Sequence, residues 1–470
     1  MNDYLTIGKI LKVTGGRLIR GDPKDRVGSF STDTRTLQGG DLFIALKGPN
    51  FDGHGFVGEA LRKGARGAIV SADVGLAGEG LDILLQVEDT LAALGDIARL
   101  WRGQHSIPLA AVTGSTGKTT TKEWVSQILS QRFNVLSSPG THNNLIGLPL
   151  TLLGLRKDHQ IAVVELGMNA AGEIRRLSNI CQPDMGLITN VGPAHLEFLG
   201  SLEGVAAAKA EMLDFLRGER VSILNGDDPH LRSLIARSPG RCLTYGLSSR
   251  WDFWAEGISA GEEGIEFLLH HEGRSIPVRL PQWGRHSVYN ALASTAIAVR
   301  CGLSLEEIRE GLGLIHQPPM RMEKVLLPGG VTLINDSYNA NPMSMRAALS
   351  AFFEMKGEAR GILVLGDMLE LGSQGEGLHR EIGALLSSYS NIGALIVIGP
   401  QSRALAEEAS MKGLSVPIHL CQDRGEASSV LEESLKPGDW VLLKGSRAMR
   451  MEKVLEDLRQ HAVSSSLSLT

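Results

Sequence analysis

Residues 108–131, PLAAVTGSTGKTTTKEWVSQILSQ, restrict the fold of this chain more than any other stretch. A short apolar strand runs into Gly114-Ser115-Thr116-Gly117-Lys118-Thr119-Thr120, and a helix follows. A strand, a glycine loop and a helix in that order form the context of a phosphate loop. Backbone N–H groups and the helix N-terminus face an anion, a lysine adds positive charge, and a hydroxyl can coordinate Mg²⁺. Lys118 and Thr119 stand at those places. The eight-residue Walker pattern would put its first glycine at position 112, which is Val112, so this is the shorter G-x-x-G-K-T form. A glycine turn with an incidental lysine is the competing reading, and the joint presence of strand, loop, Lys-Thr and helix favours a nucleotide.

The rest of the chain reads as alternating strands and helices, which implies parallel sheets with crossover helices. Strands are expected at 42–46, 67–71, 161–167, 185–192 and 221–228, and an amphipathic helix at 88–103. Residues 252–280 alternate and carry turn glycines, so antiparallel hairpins are expected there. A helix is expected over 283–302, ending at Gly302. The paired prolines of HQPPMRME (316–323) mark a boundary. Beyond it, strands at 331–336, 361–367, 394–399 and 439–445 form a second α/β series, and the polar tail HAVSSSLSLT is expected to fray.

Composition removes several function classes. With 47 Lys and Arg against 52 Asp and Glu the net charge is −5, and no basic tract stands out, so no nucleic-acid partner is expected. Cys181, Cys242, Cys301 and Cys421 show neither CxxC nor metal spacing, which suits reduced thiols in the cytoplasm. MNDYLTIGKI lacks the layout of a signal peptide, and no apolar run approaches a membrane span. At 470 residues, about three domains are expected.

Other segments carry possible chemistry. Glu165 ends an apolar strand, where ligands bind on a parallel sheet; it is either a cation ligand or a strand-end carboxylate in solvent. His195 lies in a loop after the next strand, where packing is the commoner role. Residues 201–216 read as a helix capped by Ser201, with Val205, Ala208, Met212 and Leu216 on its buried face and Lys209 beside that stripe, as a snorkelling lysine would be. Asp336 sits in the polar cluster 334–345, suited to ribose hydroxyls or to an Asx turn. Lys444, Ser446 and Arg447 open a late helix, either as a carboxylate site or as a basic surface entrance.

TGSTGKTT, THNNLIGLP, ELGMNAAGEI, NVGPAHLEFLGS, AAAKAE, GRHSVYNALA, PPMRME and NDSYNANP occur in this order, and together the chain resembles the Mur ligase family of peptidoglycan synthesis over nearly its whole length. STDTR, GDLFIALKGPNFDGHGF, DSYNANP, GDMLELG and LKGSRAMRMEKV bring it nearest to the member that adds D-Ala-D-Ala to UDP-MurNAc-tripeptide. The resemblance implies three α/β domains: a UDP-substrate domain (1–105), a central ATP-binding domain with a mostly parallel sheet (106–316) and a C-terminal Rossmann-like domain (317–470). It implies a cytoplasmic, monomeric, ATP- and Mg²⁺-dependent ligase without membrane insertion. Lys118, with Gly114 to Thr120, would hold the ATP phosphates. Thr119, Glu165, His195 and a carbamylated Lys209 would hold metal. Asn143 or Asn144 would lie near the phosphates. Asn290 and His286 would face adenine, and Arg321, Asp336 and Tyr338 would close over the nucleotide. Ser31, Asp33, Arg35, Lys47 and His54 would take the uridine diphosphate, and Lys444, Ser446 and Arg447 the substrate carboxylate.

Overall fold

The computed structural model describes residues 4–48, 50–73, 75, 81–261 and 263–467. Within these residues the chain builds three principal sheets. The first has five strands in the order Arg17–Arg20, Ile83–Gln86, Gly67–Val70, Leu42–Ile44, Phe30–Ser31, parallel except for the first pair. The third has six, with Glu323–Leu326 antiparallel at one edge and Thr332–Asn335, Trp440–Lys444, Gly361–Gly366, Ile392–Ile398 and Ile418–Cys421 running parallel.

The second sheet has nine strands and positions the phosphate loop. Leu109–Thr113 lies between Ile161–Glu165 on one side and Met185–Ile188 on the other, all parallel. The chain leaves Leu109–Thr113 toward one edge and later returns to its opposite flank. That reversal opens a crevice beyond the carboxyl ends of the strands, which is where open α/β sheets take ligands. The strands are buried on both faces, so they read as unbroken apolar runs. Phe253–Ala260, Ile265–His271 and Arg274–Leu280 form the expected hairpins, and they extend this same sheet instead of standing apart from it.

One helix joins the first two sheets. Thr90–Arg102 starts at Asp89, whose carboxylate accepts from the Leu91 and Ala92 amides at 2.7 and 3.1 Å. Its buried residues Leu94, Ile97 and Trp101 pack in one core with Leu5 and Ile44 on one side and Leu152 and Ile180 on the other. Trp101 Nε1 donates to Leu155 O at 3.2 Å, and the buried Arg102 reaches Cys181 O and Asp184 Oδ2, both at 3.2 Å. The third sheet has cores of its own on its two faces.

Three local expectations change. The strand Glu323–Leu326 had no separate signal; it is short, half-exposed and held by antiparallel pairing. The late helix of the central region spans Arg285–Arg300, beginning after Gly284, whose backbone (φ +80°) is outside helical range. The last helix runs from Glu452 to Leu467, through most of the tail expected to fray, and 468–470 lie outside the described residues.

Candidate active site

The phosphate loop needs its two glycines for different reasons. Gly114 has φ +148°, and a Cβ there would lie 1.8 Å from Thr189 Oγ1. Gly117 has φ +77°, and its Cβ would lie 2.7 Å from Asn290 Oδ1. Only a residue without a side chain lets the loop pass this close to both neighbours. The loop is tied to the next strand's loop: Thr116 N donates to Asn190 Oδ1 at 2.9 Å, and the Ser115 hydroxyl exchanges hydrogen bonds with Gly192. These bonds carry the histidine loop to the side of the phosphate loop.

At the floor lies the Glu165 carboxylate, fully buried. The Thr119 hydroxyl donates to its Oε2 at 2.7 Å and the Asn143 amide to its Oε1 at 2.7 Å. Asn144 turns the other way and accepts from the Ile146 and Gly147 amides at 3.1 and 2.9 Å, capping the helix Gly147–Leu153. Lys118 lies across the loop, with Nζ 2.7 Å from Gly114 O. Burial pushes its ammonium below the usual lysine range, Glu165 pulls it back up, and Arg321 lowers it further.

The third sheet closes over this floor. Arg321 stands between Met320 and Met322, both in left-handed backbone (φ 58° and 53°). Its Nη2 donates to Thr119 Oγ1 at 2.8 Å, and its guanidinium lies 4.3 Å above the Tyr338 ring. The Tyr338 hydroxyl donates to Thr141 Oγ1 at 2.8 Å. Lys444 ends its strand at 1% exposure, with Nζ 2.6 Å from Asp336 Oδ2 and 3.0 Å from Asn339 O. His195 (φ 56°) lies with Nδ1 2.6 Å from Oε2 of Glu370 (φ 63°). That contact holds the Glu370 carboxyl below its usual range.

The result is one cavity of about 960 Å³ between the second and third sheets. It is lined by Ser115 to Thr120, Asn143, Glu165, His195, His286, Asn290, Arg321, Asp336, Tyr338 and Lys444. Burial lowers His286 from the usual imidazole range. Gly114, Asn144 and Lys209 do not reach the surface of this cavity, nor do Ser446 and Arg447. Ser446 is buried, its hydroxyl donating to Ala340 O at 3.2 Å, and Arg447 pairs with Glu452 at 3.0 Å.

Lys209 is 1% exposed, although the residues around it suggested a snorkelling side chain. Among the described residues its side chain makes no hydrogen bond or ion pair. Burial, and then the charge of Lys118, push its ammonium well below the usual lysine range. Such a shift favours the neutral amine, the form nucleophilic toward CO₂, and a carbamate would turn the side chain into an anion. Among the described residues no three His, Cys, Asp or Glu side chains gather as a metal cluster. Mg²⁺ needs no such cluster, because it usually keeps water and binds through one or two carboxylates plus phosphate oxygens. Glu165 and the Thr119 hydroxyl suit that habit.

The N-terminal candidates lie apart from this cavity. Asp33 accepts from Arg35 Nε at 2.9 Å, and that pairing lowers its carboxyl to about 2. Ser31 Oγ accepts from Asp33 N at 3.2 Å. The backbone of Lys47 pairs with that of Asp52 in an isolated antiparallel β-bridge, and Asp52 Oδ1 lies 2.5 Å from His54 Nδ1. Two cavity-wall residues, Thr141 and Asp227, and Glu370, the partner of His195, were missed in the sequence. Thr141 and Glu370 act through partners far along the chain. Asp227, of the Asn225-Gly226-Asp227-Asp228 turn, accepts from Trp251 Nε1 at 2.8 Å and from the Tyr289 hydroxyl at 3.1 Å. An acidic pair after a buried strand was the available signal.

Comparison with known proteins follows this geometry. Residues 112–298 match a Mur ligase middle domain, 320–447 a Mur ligase glutamate ligase domain, and 27–102 a Mur ligase family catalytic domain. A UDP-N-acetylmuramoyl-tripeptide–D-alanyl-D-alanine ligase of Bacillus subtilis is 36% identical, over 92% of this chain and 93% of its own. The enzyme of that name from Escherichia coli is 36% identical over 97% and 99%. A crystal structure of MurF from Acinetobacter baumannii superposes with a TM-score of 0.88 at 33% identity, covering 97% of this chain and 99% of that one. A MurF ligase from Thermotoga maritima, solved in complex with ADP, superposes with a TM-score of 0.82 at 29% identity over 93% and 98%.

Proposed function

The chain belongs to the Mur ligase family, and on that premise we propose that it joins D-Ala-D-Ala to the terminal carboxylate of UDP-MurNAc-tripeptide at the expense of ATP. The observation that carries this reading is the shared cavity. A phosphate loop, a buried carboxylate, a histidine and four groups from the third sheet face one space of about 960 Å³, enough for a nucleotide and a peptide end. Full-length similarity to ligases named for this reaction supplies the substrates.

A carboxylate does not condense with an amine unaided, because oxide is a very poor leaving group. Phosphorylation by ATP makes the carboxylate an acyl phosphate; the amine attacks, a tetrahedral species forms and phosphate leaves. Two anions must meet in the first step. Lys118 and the amides of 117–120 at the helix start counter the charge on the transferring phosphoryl group, and Arg321 adds a positive charge from the opposite wall. Glu165, Thr119 and His195 would hold Mg²⁺, with Lys209 contributing as its carbamate. When bound, the cation supplies charge neutralisation between the two anions. Asn143 and Thr119 fix the orientation of Glu165. Asp336, held by Lys444, is set to accept from ribose hydroxyls, and Asn290 and His286 form the base side. Tyr338 and Arg321 seal the nucleotide from water, which would hydrolyse the acyl phosphate.

Residues 1–105 take the role of UDP-substrate module in this reading, with Ser31, Asp33, Arg35, Lys47 and His54 toward the uridine diphosphate. Residues 106–316 take the ATP module and 317–470 the closing module, of which Lys444, but not Ser446 or Arg447, lines the cavity. No helix among the described residues is long and apolar enough to cross a membrane, and the four cysteines are unpaired, which suits the cytoplasm. The deciding experiment is a mass-spectrometric product assay with ATP, D-Ala-D-Ala and UDP-MurNAc-tripeptides ending in diaminopimelate or lysine. A product heavier by one dipeptide, formed only with ATP, is expected; ATP binding without product from either tripeptide would overturn the reading.

A further inference from the structure

The helix that opens at Lys118 carries a second lysine one turn later, and the mechanism above does not use it. The Lys122 side chain is fully buried. An ammonium has three donors and no acceptor. Here each finds an oxygen: Ser138 O at 2.7 Å, Gly140 O at 3.2 Å, and the carboxylate of Glu123. Burying an ammonium costs several kcal/mol even when it is paired. A lysine kept only for solubility would extend its long stem to water instead.

The two carbonyls belong to the turn 138–144. That turn brings Asn143 to Glu165, with Nδ2 to Oε1 at 2.7 Å, and Thr141 to the Tyr338 hydroxyl at 2.8 Å. Its internal ties are few: His142 N to Pro139 O at 3.0 Å and Asn143 N to Thr141 O at 2.8 Å. Gly140 is in left-handed backbone (φ +50°). The start of the turn is held from beneath by Lys122, beside the Ser138 amide's bond to Val163 O at 3.2 Å, and its end, tied by Gly167 N to Asn143 O at 2.9 Å, meets the catalytic floor. We infer that Lys122 is a positioning residue: its ammonium clamps the turn 138–144 and so sets the face that Glu165 and Asn143 present to a divalent cation. The inference rests on the reading of Glu165 as the cation's carboxylate.

The test is calorimetric titration of the full chain with a non-hydrolysable ATP analogue, with Mg²⁺ and with EDTA. Lys122→Met is expected to lose about tenfold or more in affinity with Mg²⁺ and less than about threefold in EDTA. A residue acting through Asn143 shares its effect, so the double variant with Asn143→Ala is expected to be no weaker than the weaker single variant. Should Lys122→Met not fold, Lys122→Gln, which keeps an N–H donor in the slot, carries the same comparison. A variant that keeps the wild-type gain from Mg²⁺, or a double variant whose loss equals the product of the singles, overturns the inference. A wild-type chain that gains nothing from Mg²⁺ overturns instead the reading of Glu165 on which it rests.

Discussion

Arg321 is one of the points where the third module touches the phosphate loop, and its removal measures the worth of that contact. Arg321→Met keeps an unbranched side chain but deletes the charge, the 2.8 Å bond to Thr119 Oγ1 and the stack 4.3 Å above Tyr338. A hydrogen bond from a charged donor contributes about 1.5–3 kcal/mol net, and a guanidinium over an aromatic face about 0.5–1 kcal/mol. The sum is about 2–4 kcal/mol, which is about 30- to 700-fold at 1.4 kcal/mol per decade. Arg321 is only half-buried, so the fold should be nearly unaffected. The assay is phosphate release with both substrates saturating and MgATP varied. The loss is expected in kcat/KM for MgATP, with KM for the UDP substrate unchanged. Arg321→Lys keeps the charge but not the planar fork, and recovers only part. An Arg321→Met enzyme within about threefold of wild type would refute the claim that these contacts hold the working arrangement.

Gly117→Ala places a Cβ 2.7 Å from Asn290 Oδ1 at φ +77°; strain of about 1–3 kcal/mol should cut nucleotide affinity about 5- to 100-fold, read by titration. Lys209→Ala should lose most activity and regain part of it with added short carboxylic acids; full activity without them would contradict the carbamate. Glu370→Ala removes the partner of His195, and a half-exposed pair should cost about 2- to 10-fold in kcat with little change in melting temperature. Asp33 titrates at about 2 in the folded chain, below its unfolded value. Its pairing with Arg35 thus contributes above the unfolded pKa and is lost as the pH falls through about 2. Affinity for the UDP substrate should therefore show no Asp33 step across the neutral range, and a step absent from Asp33→Asn would contradict this.

The parts of the site that were legible are those whose meaning is local. A strand, two glycines, a lysine and a helix specify an anion cradle within one turn of chain, so Lys118 and Thr119 could be read directly. Glu165 could be placed at a strand end, but its orientation depends on Thr119 and Asn143, which lie 46 and 22 residues away. Adjacent asparagines with equal chemistry were separable only through backbone geometry, which turns Asn143 inward and makes Asn144 a helix cap. Lys209 was misjudged on residue type because burial is a tertiary property: its helix packs with that face inward. Thr141 is 197 residues from Tyr338, and nothing in either neighbourhood announces the other.

The helix Thr90–Arg102 belongs by chain order to the first sheet, yet it shares its apolar side with the second. Calorimetry should therefore record two melting units in this chain and not three: residues up to about 316 giving way together, and the remainder on its own. A fragment cut after the helix would carry Trp101 and Arg102 into water, and one cut before it would leave Leu155 and Ile180 bare. Of the three sheets, only the last is built to swing on the others without tearing a core.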